Sequence, residues 1–248
     1  EAILKGMGNV QGMELFKIIV VGDRKRIIEL CYLYKVSYDD IEIIDAQNYI
    51  DMCFIVNGLV KKRNILGITI GDFPKAYYKN IGNIEYEINV VDAPYSTHLL
   101  FVVCSLKGKY NGFEEKEEAI KIGKSFMRHL HIEYLNIGLV SGDINKIVKI
   151  EKNVIKMDSE LKYDNIEVIG IKDIFVSKYN LLIFNNLDST RIFLDTILMN
   201  NNSKYANLKK ASNIYIIDAE KMNTKDVVFS IFLLNKIFLG KKTLRLNY

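Results

Sequence analysis

Residues 135–143 read LNIGLVSGD, and the fold is decided there. The run 135–140 is short and apolar, and it stops at Ser141, Gly142 and Asp143. Such a run suits a parallel strand covered on both faces. Open α/β sheets receive their ligands outside the carboxyl ends of these strands. Gly142 lets backbone N–H groups approach an anion, and Ser141 offers a hydroxyl.

Working outward, the same logic recurs. Residues 15–21 (LFKIIVV) read as a strand, Gly22 turns the chain, and Asp23 is placed to cap a helix over 24–35. Asp39 and Asp40 lead into a strand at 41–44, which makes a β-α-β unit with a right-handed crossover. A short helix near 48–52, a strand at 53–56 and an Asn57–Gly58 turn come next, before the basic cluster Lys61, Lys62 and Arg63. Further strands are expected at 65–70, 99–106, 166–171, 181–184 and 213–217, with an edge strand at 85–91.

Helices are expected at 114–131, 189–199 and 225–239, with a shorter one near 205–211. The first of these opens on Glu114, Glu115, Glu117 and Glu118 and closes on Arg128, His129 and His131, as its dipole favours. Thr224 is placed to cap the last, and the basic tail 240–248 is expected to fray. This alternation predicts α/β layers with largely parallel sheets.

Composition excludes several classes. A net charge of +4 over 248 residues is too slight for a nucleic-acid partner, though it leaves room for a small anionic ligand. No apolar run approaches the roughly 18 residues of a membrane helix. No signal-peptide pattern opens the chain, and Cys31, Cys53 and Cys104 are widely separated within apolar runs. They read as reduced core thiols, and the chain as cytoplasmic.

The candidate chemistry narrows quickly. His129 and His131 do not share a helix face, and with His98 they are the only histidines, so no metal ligand set is expected. Gly6, Gly8 and Gly12 precede the first clear strand and read as a terminal turn, not a dinucleotide fingerprint. Ser141 lies in VSGD, which is not a nucleophile elbow. Two anion-binding candidates remain. Lys61, Lys62 and Arg63 follow a predicted turn, and Asp188, Ser189, Thr190 and Arg191 open a predicted helix. A solvated basic loop and a plain N-cap explain the same residues. Asp226, at the start of the last helix, suits the dipole equally well.

The order of pieces resembles a known family. Residues 17–46 (KIIVVGDRKRIIELCYLYKVSYDDIEIIDA) look like the start of the phosphate acetyl/butyryltransferases. The strand at 99–103, the strand end at 137–142, the Asn186–Leu187–Asp188–Ser189 turn and the closing segment 216–239 are similar to theirs. The group that fits best is the MtxX type, an archaeal methanogenesis marker regarded as a methyltransferase subunit and related to these acyltransferases. One departure stands out: a family Ser–Arg pair is replaced by Ala219 and Glu220, and a Glu repels an anion that an Arg would bind.

The resemblance implies two α/β domains, 1–100 plus 216–248 and 101–215, with a cleft between them on an isocitrate dehydrogenase-like fold. It implies Asp226 as a catalytic base. Ser141, Gly142, Asp188, Ser189 and Arg191 would hold an anionic group, with Lys61 and Arg63 closing from the other domain. The expected activity is methyl transfer, or service to a methyltransferase complex, in C1 metabolism. The alternatives are a phosphate acyltransferase using coenzyme A and a non-enzymatic regulatory subunit. Expected partners are a small anionic ligand or methyl carrier, other methyltransferase subunits, and a second copy in a homodimer. No cofactor is identified.

Overall fold

The computed structural model describes residues 1–11, 13, 17–62, 65, 67–71, 73–74, 81, 83–94, 96, 98–106, 113–132, 134–141, 166–170, 173–174, 178–200, 202–211 and 214–246. The chain forms two compact units. One comprises Glu1–Ile84 with Ala206–Phe238, the other Glu85–Tyr205 with Leu239–Tyr248. Five of the seven strand pairings described below are parallel, as expected of this α/β sequence.

The first unit opens with helix α1 (Ala2–Gln11), where the sequence suggested a terminal turn. Its glycines serve close packing. A Cβ on Gly6 would lie 2.6 Å from Val227 Cγ1, and one on Gly8 would lie 3.0 Å from Val36 Cγ2. The β-α-β unit follows as read: β1 (Ile18–Gly22), α2 (Arg24–Tyr34) and β2 (Ile41–Asp45), with β1 and β2 parallel. Asp23 caps α2 by accepting the Arg26 N–H at 3.0 Å.

Helix α3 (Tyr49–Lys62) corrects the strand expected at 53–56. A four-residue apolar run fits a strand and a helix segment alike. Asn48 settles it, because its Oδ1 accepts the N–H groups of Ile50 and Asp51, each at 2.9 Å, and starts a helix.

Strand β3 (Gly67–Ile70) pairs in parallel with β10 (Ile214–Asp218), and β10 pairs antiparallel with β9 (Lys204–Ala211). The short helix expected near 205–211 is therefore a strand. Ala206 and Leu208 are buried with period two, and Lys209 forms an ion pair with Asp218 across the ladder. The last element of the chain is α6 (Thr224–Leu246), which extends to Leu246 within the tail expected to fray.

In the second unit the strands order as β4-β5-β8-β6-β7. They are β4 (Ile84–Asp92), β5 (Leu100–Ser105), β6 (Ile137–Val140), β7 (Ile166–Ile169) and β8 (Leu181–Phe184). β5, β6 and β8 are buried throughout, as a parallel sheet covered on both faces requires. β4 is antiparallel to β5 and is buried from Tyr86 to Val91, so it lacks the exposed side of the edge strand expected there.

The two faces carry different helices. Helix α4 (Phe113–His129) packs on Phe101, Val103 and Leu181: its Phe126 ring meets Phe101, and a Cβ on Gly123 would lie 2.8 Å from Leu181 Cδ1. Helix α5 (Leu187–Leu198) packs Phe193, Leu194 and Ile197 against Val102, Leu182, Phe184 and Val140 on the other face. Cys31, Cys53 and Cys104 are free and buried. Among the described residues no helix is long and apolar enough to cross a membrane.

Candidate functional site

The connections around β8 reverse direction at the carboxyl ends of the strands. β8 lies between β5 and β6, although the chain passes from β5 through α4 to β6 first. β8 then leaves by α5 on the opposite face from α4. Neighbouring parallel strands whose connections diverge define a topological switch point, where open α/β sheets bind ligands. Here that point lies between β5, which leaves by α4, and β8, which leaves by α5.

The register puts two polar residues at adjoining strand ends. Val140 pairs with Phe184, so Ser141 and Asn185 leave the sheet side by side. Asn185 Nδ2 donates to Ser141 Oγ at 3.2 Å, and the Ser141 N–H donates to the Ile169 carbonyl at 3.0 Å. On the other side of Asn185, Lys116 Nζ donates to Oδ1 at 2.6 Å. Lys116 belongs to the first turn of α4 and is only 8% exposed. Its partner is a neutral amide, and burial pushes its pKa down.

The start of α5 adjoins this chain of side chains. Asn186 is its N-cap and accepts the Ser189 N–H at 2.7 Å. Asp188 is exposed in the first turn, where the dipole favours it, and Arg191 is exposed on the next. Ser141 and the opening of α5 thus adjoin at the strand ends, through Asn185. Gly142 lies outside the described residues.

The other face of the same strand end holds a second polar group. Glu87 on β4 stands opposite Cys104 on β5, and both are buried. Burial and the neighbouring Glu87 push the Cys104 thiol up, which keeps it protonated and unreactive. Tyr205 Oη donates to Asn89 Oδ1 at 2.6 Å, and Asn89 Nδ2 donates to Glu87 Oε1 at 3.4 Å.

The remaining sequence candidates belong to the first unit. Lys61 is exposed in the last turn of α3, not in a loop after a strand. A helix carboxyl end attracts cations and repels anions, so the dipole accounts for its position. Arg63 lies outside the described residues. Asp226 is buried in the first turn of α6. Its Oδ2 accepts the Asn223 N–H at 3.3 Å, and Asn223 Oδ1 accepts the Asp226 N–H at 3.1 Å. This reciprocal pair is a capping box in which Asn223, not Thr224, is the cap. Asp226→Ala is expected to lower stability by about 1–2 kcal/mol in urea unfolding. An unmoved urea midpoint would show that the capping pair contributes nothing.

Sequence reasoning missed Lys116 and Asn185. The signal was present in Lys116: a lysine in the first turn opposes the dipole, and it lies three and four residues before the buried Ala119 and Ile120. Asn185 carried no signal, because its value depends on a register with β6. Among the described residues no group of three or more His, Cys, Asp and Glu is gathered as if for a metal ion.

No protein-family model and no curated protein sequence matches the chain. Solved structures do. A branched-chain phosphotransacylase from Enterococcus faecalis V583 superposes with a TM-score of 0.66 at 8% identity, over 90% of this chain and 99% of that one. A 4-hydroxythreonine-4-phosphate dehydrogenase from Klebsiella pneumoniae gives 0.57 at 13% identity, over 98% and 94%. A β-decarboxylating dehydrogenase from Thermococcus kodakarensis gives 0.51 at 9% identity, over 93% and 83%. At these identities the likeness establishes architecture, and it meets the resemblance to the phosphate acyltransferases at that level. The chain therefore has the α/β fold that a phosphotransacylase shares with these dehydrogenases.

Proposed function

We propose that the protein is a group-transfer protein whose small anionic ligand is received at the carboxyl ends of β5, β8 and β6, around the switch point between β5 and β8. The observation that carries this reading is the side-chain chain from Lys116 through Asn185 to Ser141 across that switch point. A buried ammonium beside a neutral amide is an incomplete electrostatic arrangement, and an anionic ligand completes it. The fold lends support, because one structural neighbour is named as a phosphotransacylase and another as a dehydrogenase of a phosphorylated compound.

The group moved is a methyl group, and the setting is the archaeal C1 metabolism of the MtxX type. This finer reading rests on the resemblance of residues 17–46, 137–142 and 216–239. It is favoured over acyl transfer by Ala219 and Glu220. Ala219 is buried and its N–H donates to the Ile70 carbonyl at 2.8 Å, while the Glu220 N–H donates to Asp218 Oδ1 at 3.3 Å. Neither side chain can offer the cation of the family Ser–Arg pair.

A thermal-shift panel tests the proposal, with coenzyme A, acetyl phosphate, S-adenosylmethionine and a methylated pterin as ligands. A ligand at about a hundred times its Kd adds roughly 2.7 kcal/mol, or several degrees for a chain of this size. Stabilisation by a methyl donor and not by acetyl phosphate is the expected result. Stabilisation by coenzyme A and acetyl phosphate together would replace methyl transfer with acyl transfer. A panel with no shift at all would sink the group-transfer reading and leave a regulatory subunit.

A further inference from the structure

Helix α3 is mostly apolar (YIDMCFIVNGLVKK), yet of its residues only Cys53 is buried. One side of it faces its own unit. A Cβ on Gly22 would lie 3.4 Å from Met52 Cε, and Val60 packs on the cluster of Ile70 and Ile216. By helical spacing Ile50, Phe54, Gly58 and Lys61 run along the opposite side. Ile50 is 66% exposed and Phe54 83%, one turn apart. Two large apolar side chains in a row on water form a patch, not a scatter.

Gly58 is a second observation on the same side. Gly6, Gly8 and Gly123 also lie in helices, and at each an added Cβ would meet a neighbour at 3.0 Å or less. At Gly58 nothing stands within 4 Å. Glycine weakens a helix interior, and within one chain nothing uses the notch it leaves here. That notch lies one turn from the exposed ring of Phe54.

The charges of α3 are separated along its length. Asp51 stands in the first turn, and Lys61 and Lys62 stand in the last. Asp45, Asp51, Ile50 and Phe54 line a hollow of about 450 Å³ at the amino end. The amino half thus offers an acidic, apolar wall and a ring, and the carboxyl half offers a notch and two cations. Each half complements the other half, not itself.

The geometry points to α3 as the contact surface for a second copy of this chain, the two helices lying antiparallel. A two-fold axis level with Val56 sets Phe54 of each copy over Gly58 of the other. The same operation sets Asp51 of each copy opposite Lys61 of the other. It also lays the Lys62 stem along Ile50 of the other copy. A parallel pair would oppose like charges at both ends and set ring against ring and notch against notch.

The test is sedimentation of the full chain over a range of concentrations. One helix pair of this length is smaller than a standard interface, so wild type is expected to dimerise with a Kd of about 10–100 μM. Well below that concentration the chain is single, and the Phe54 ring has nothing to pack on. Phe54→Ala is expected to weaken the dimer about tenfold or more, because each dimer uses the ring twice. Gly58→Gln, which fills the notch with a good helix former, is expected to weaken it about as much. Lys61→Asp is expected to weaken it about threefold to tenfold, with a smaller loss at high salt. Asp51→Lys combined with Lys61→Asp is expected to restore it to within about threefold of wild type. Ile192→Ala, at an exposed apolar residue of α5, is expected to leave it unchanged.

A chain that stays single at every concentration would overturn the inference. A dimer that responds to Ile192→Ala and not to Phe54→Ala would overturn it too, since it would use another face. If both single charge changes weaken the dimer and their combination does not restore it, the antiparallel pairing is wrong. Should Asp51→Lys fail to fold, an unmoved Kd in Lys61→Asp would overturn that pairing instead.

Discussion

Phe101→Ala is expected to lower the unfolding free energy by about 3–5 kcal/mol. Phe101 is fully buried in β5, paired with Val90 on β4 and Leu181 on β8. Its N–H donates to the Asn180 carbonyl at 2.8 Å, so ladder bonds on both flanks hold its Cα in place. The ring meets Phe126 of α4 edge to face, with centroids 6.1 Å apart. Removing it opens a void whose walls are two strands and a helix, none of which can close it without breaking hydrogen bonds. Phe54→Ala provides the contrast: Phe54 is 83% exposed, and its loss is expected to stay within about 0.5 kcal/mol. Urea unfolding of the two variants measures both. A Phe101→Ala loss below about 1 kcal/mol would contradict the packing of α4 on this face, and with it the placement of Lys116 beside Asn185.

That dependence explains how much of the fold was legible in advance. Strands buried on both faces announce themselves as short continuous apolar runs. Residues 137–140 and 181–184 were read almost to the residue for that reason. The first β-α-β unit was legible because Asp23 and Asp39–Asp40 punctuate it. The errors fell where two periods fit one segment. Residues 53–56 satisfy a strand until Asn48 is recognised as the cap of a longer helix. Residues 204–211 place Tyr205, Leu208 and Ala211 three apart, which mimics a helix turn, yet Ala206 and Leu208 at spacing two are the fully buried pair. Gly6 and Gly8 were read as a terminal turn because they precede the first clear strand. Their reason is tertiary, namely the approach of Val227 and Val36.

The geometry of the candidate site was legible only in part. Ser141 followed from the rule that strand carboxyl ends receive ligands, and the structure places it at the carboxyl end of β6, beside β8. The partner strand could not be read, since β8 inserts between β5 and β6 out of sequence order. Asn185 was therefore invisible, and Lys116 was lost among the glutamates that open its helix. The basic cluster at Lys61 was read as following a strand and a turn, whereas Lys61 stands in the last turn of a helix, whose carboxyl end accommodates its charge.

Gly67→Val is expected to lower stability by about 3 kcal/mol, close to the upper end of what overpacking produces. Gly67 opens β3 directly opposite Tyr215 of β10. A Cβ there would lie 2.9 Å from the Tyr215 carbonyl oxygen and 2.6 Å from Leu234 Cδ1. The leucine methyl could swing aside, but the carbonyl cannot, because β10 is hydrogen-bonded to β3 on one side and to β9 on the other. Two opposing terms are smaller. Valine suits a strand better than glycine by up to about 1 kcal/mol, and losing glycine restricts the unfolded chain by a similar amount. Gly58→Ala should move the other way, by about 0.5–1 kcal/mol, because Gly58 lies inside α3 and nothing stands within 4 Å of its added Cβ. Opposite signs for the two substitutions, read from urea midpoints, would confirm that one glycine is required by a backbone contact and the other is a dispensable weakness. If Gly67→Val proved neutral, the register of β3 on β10 would have to be wrong, since any shift by one residue turns the new side chain to the other face.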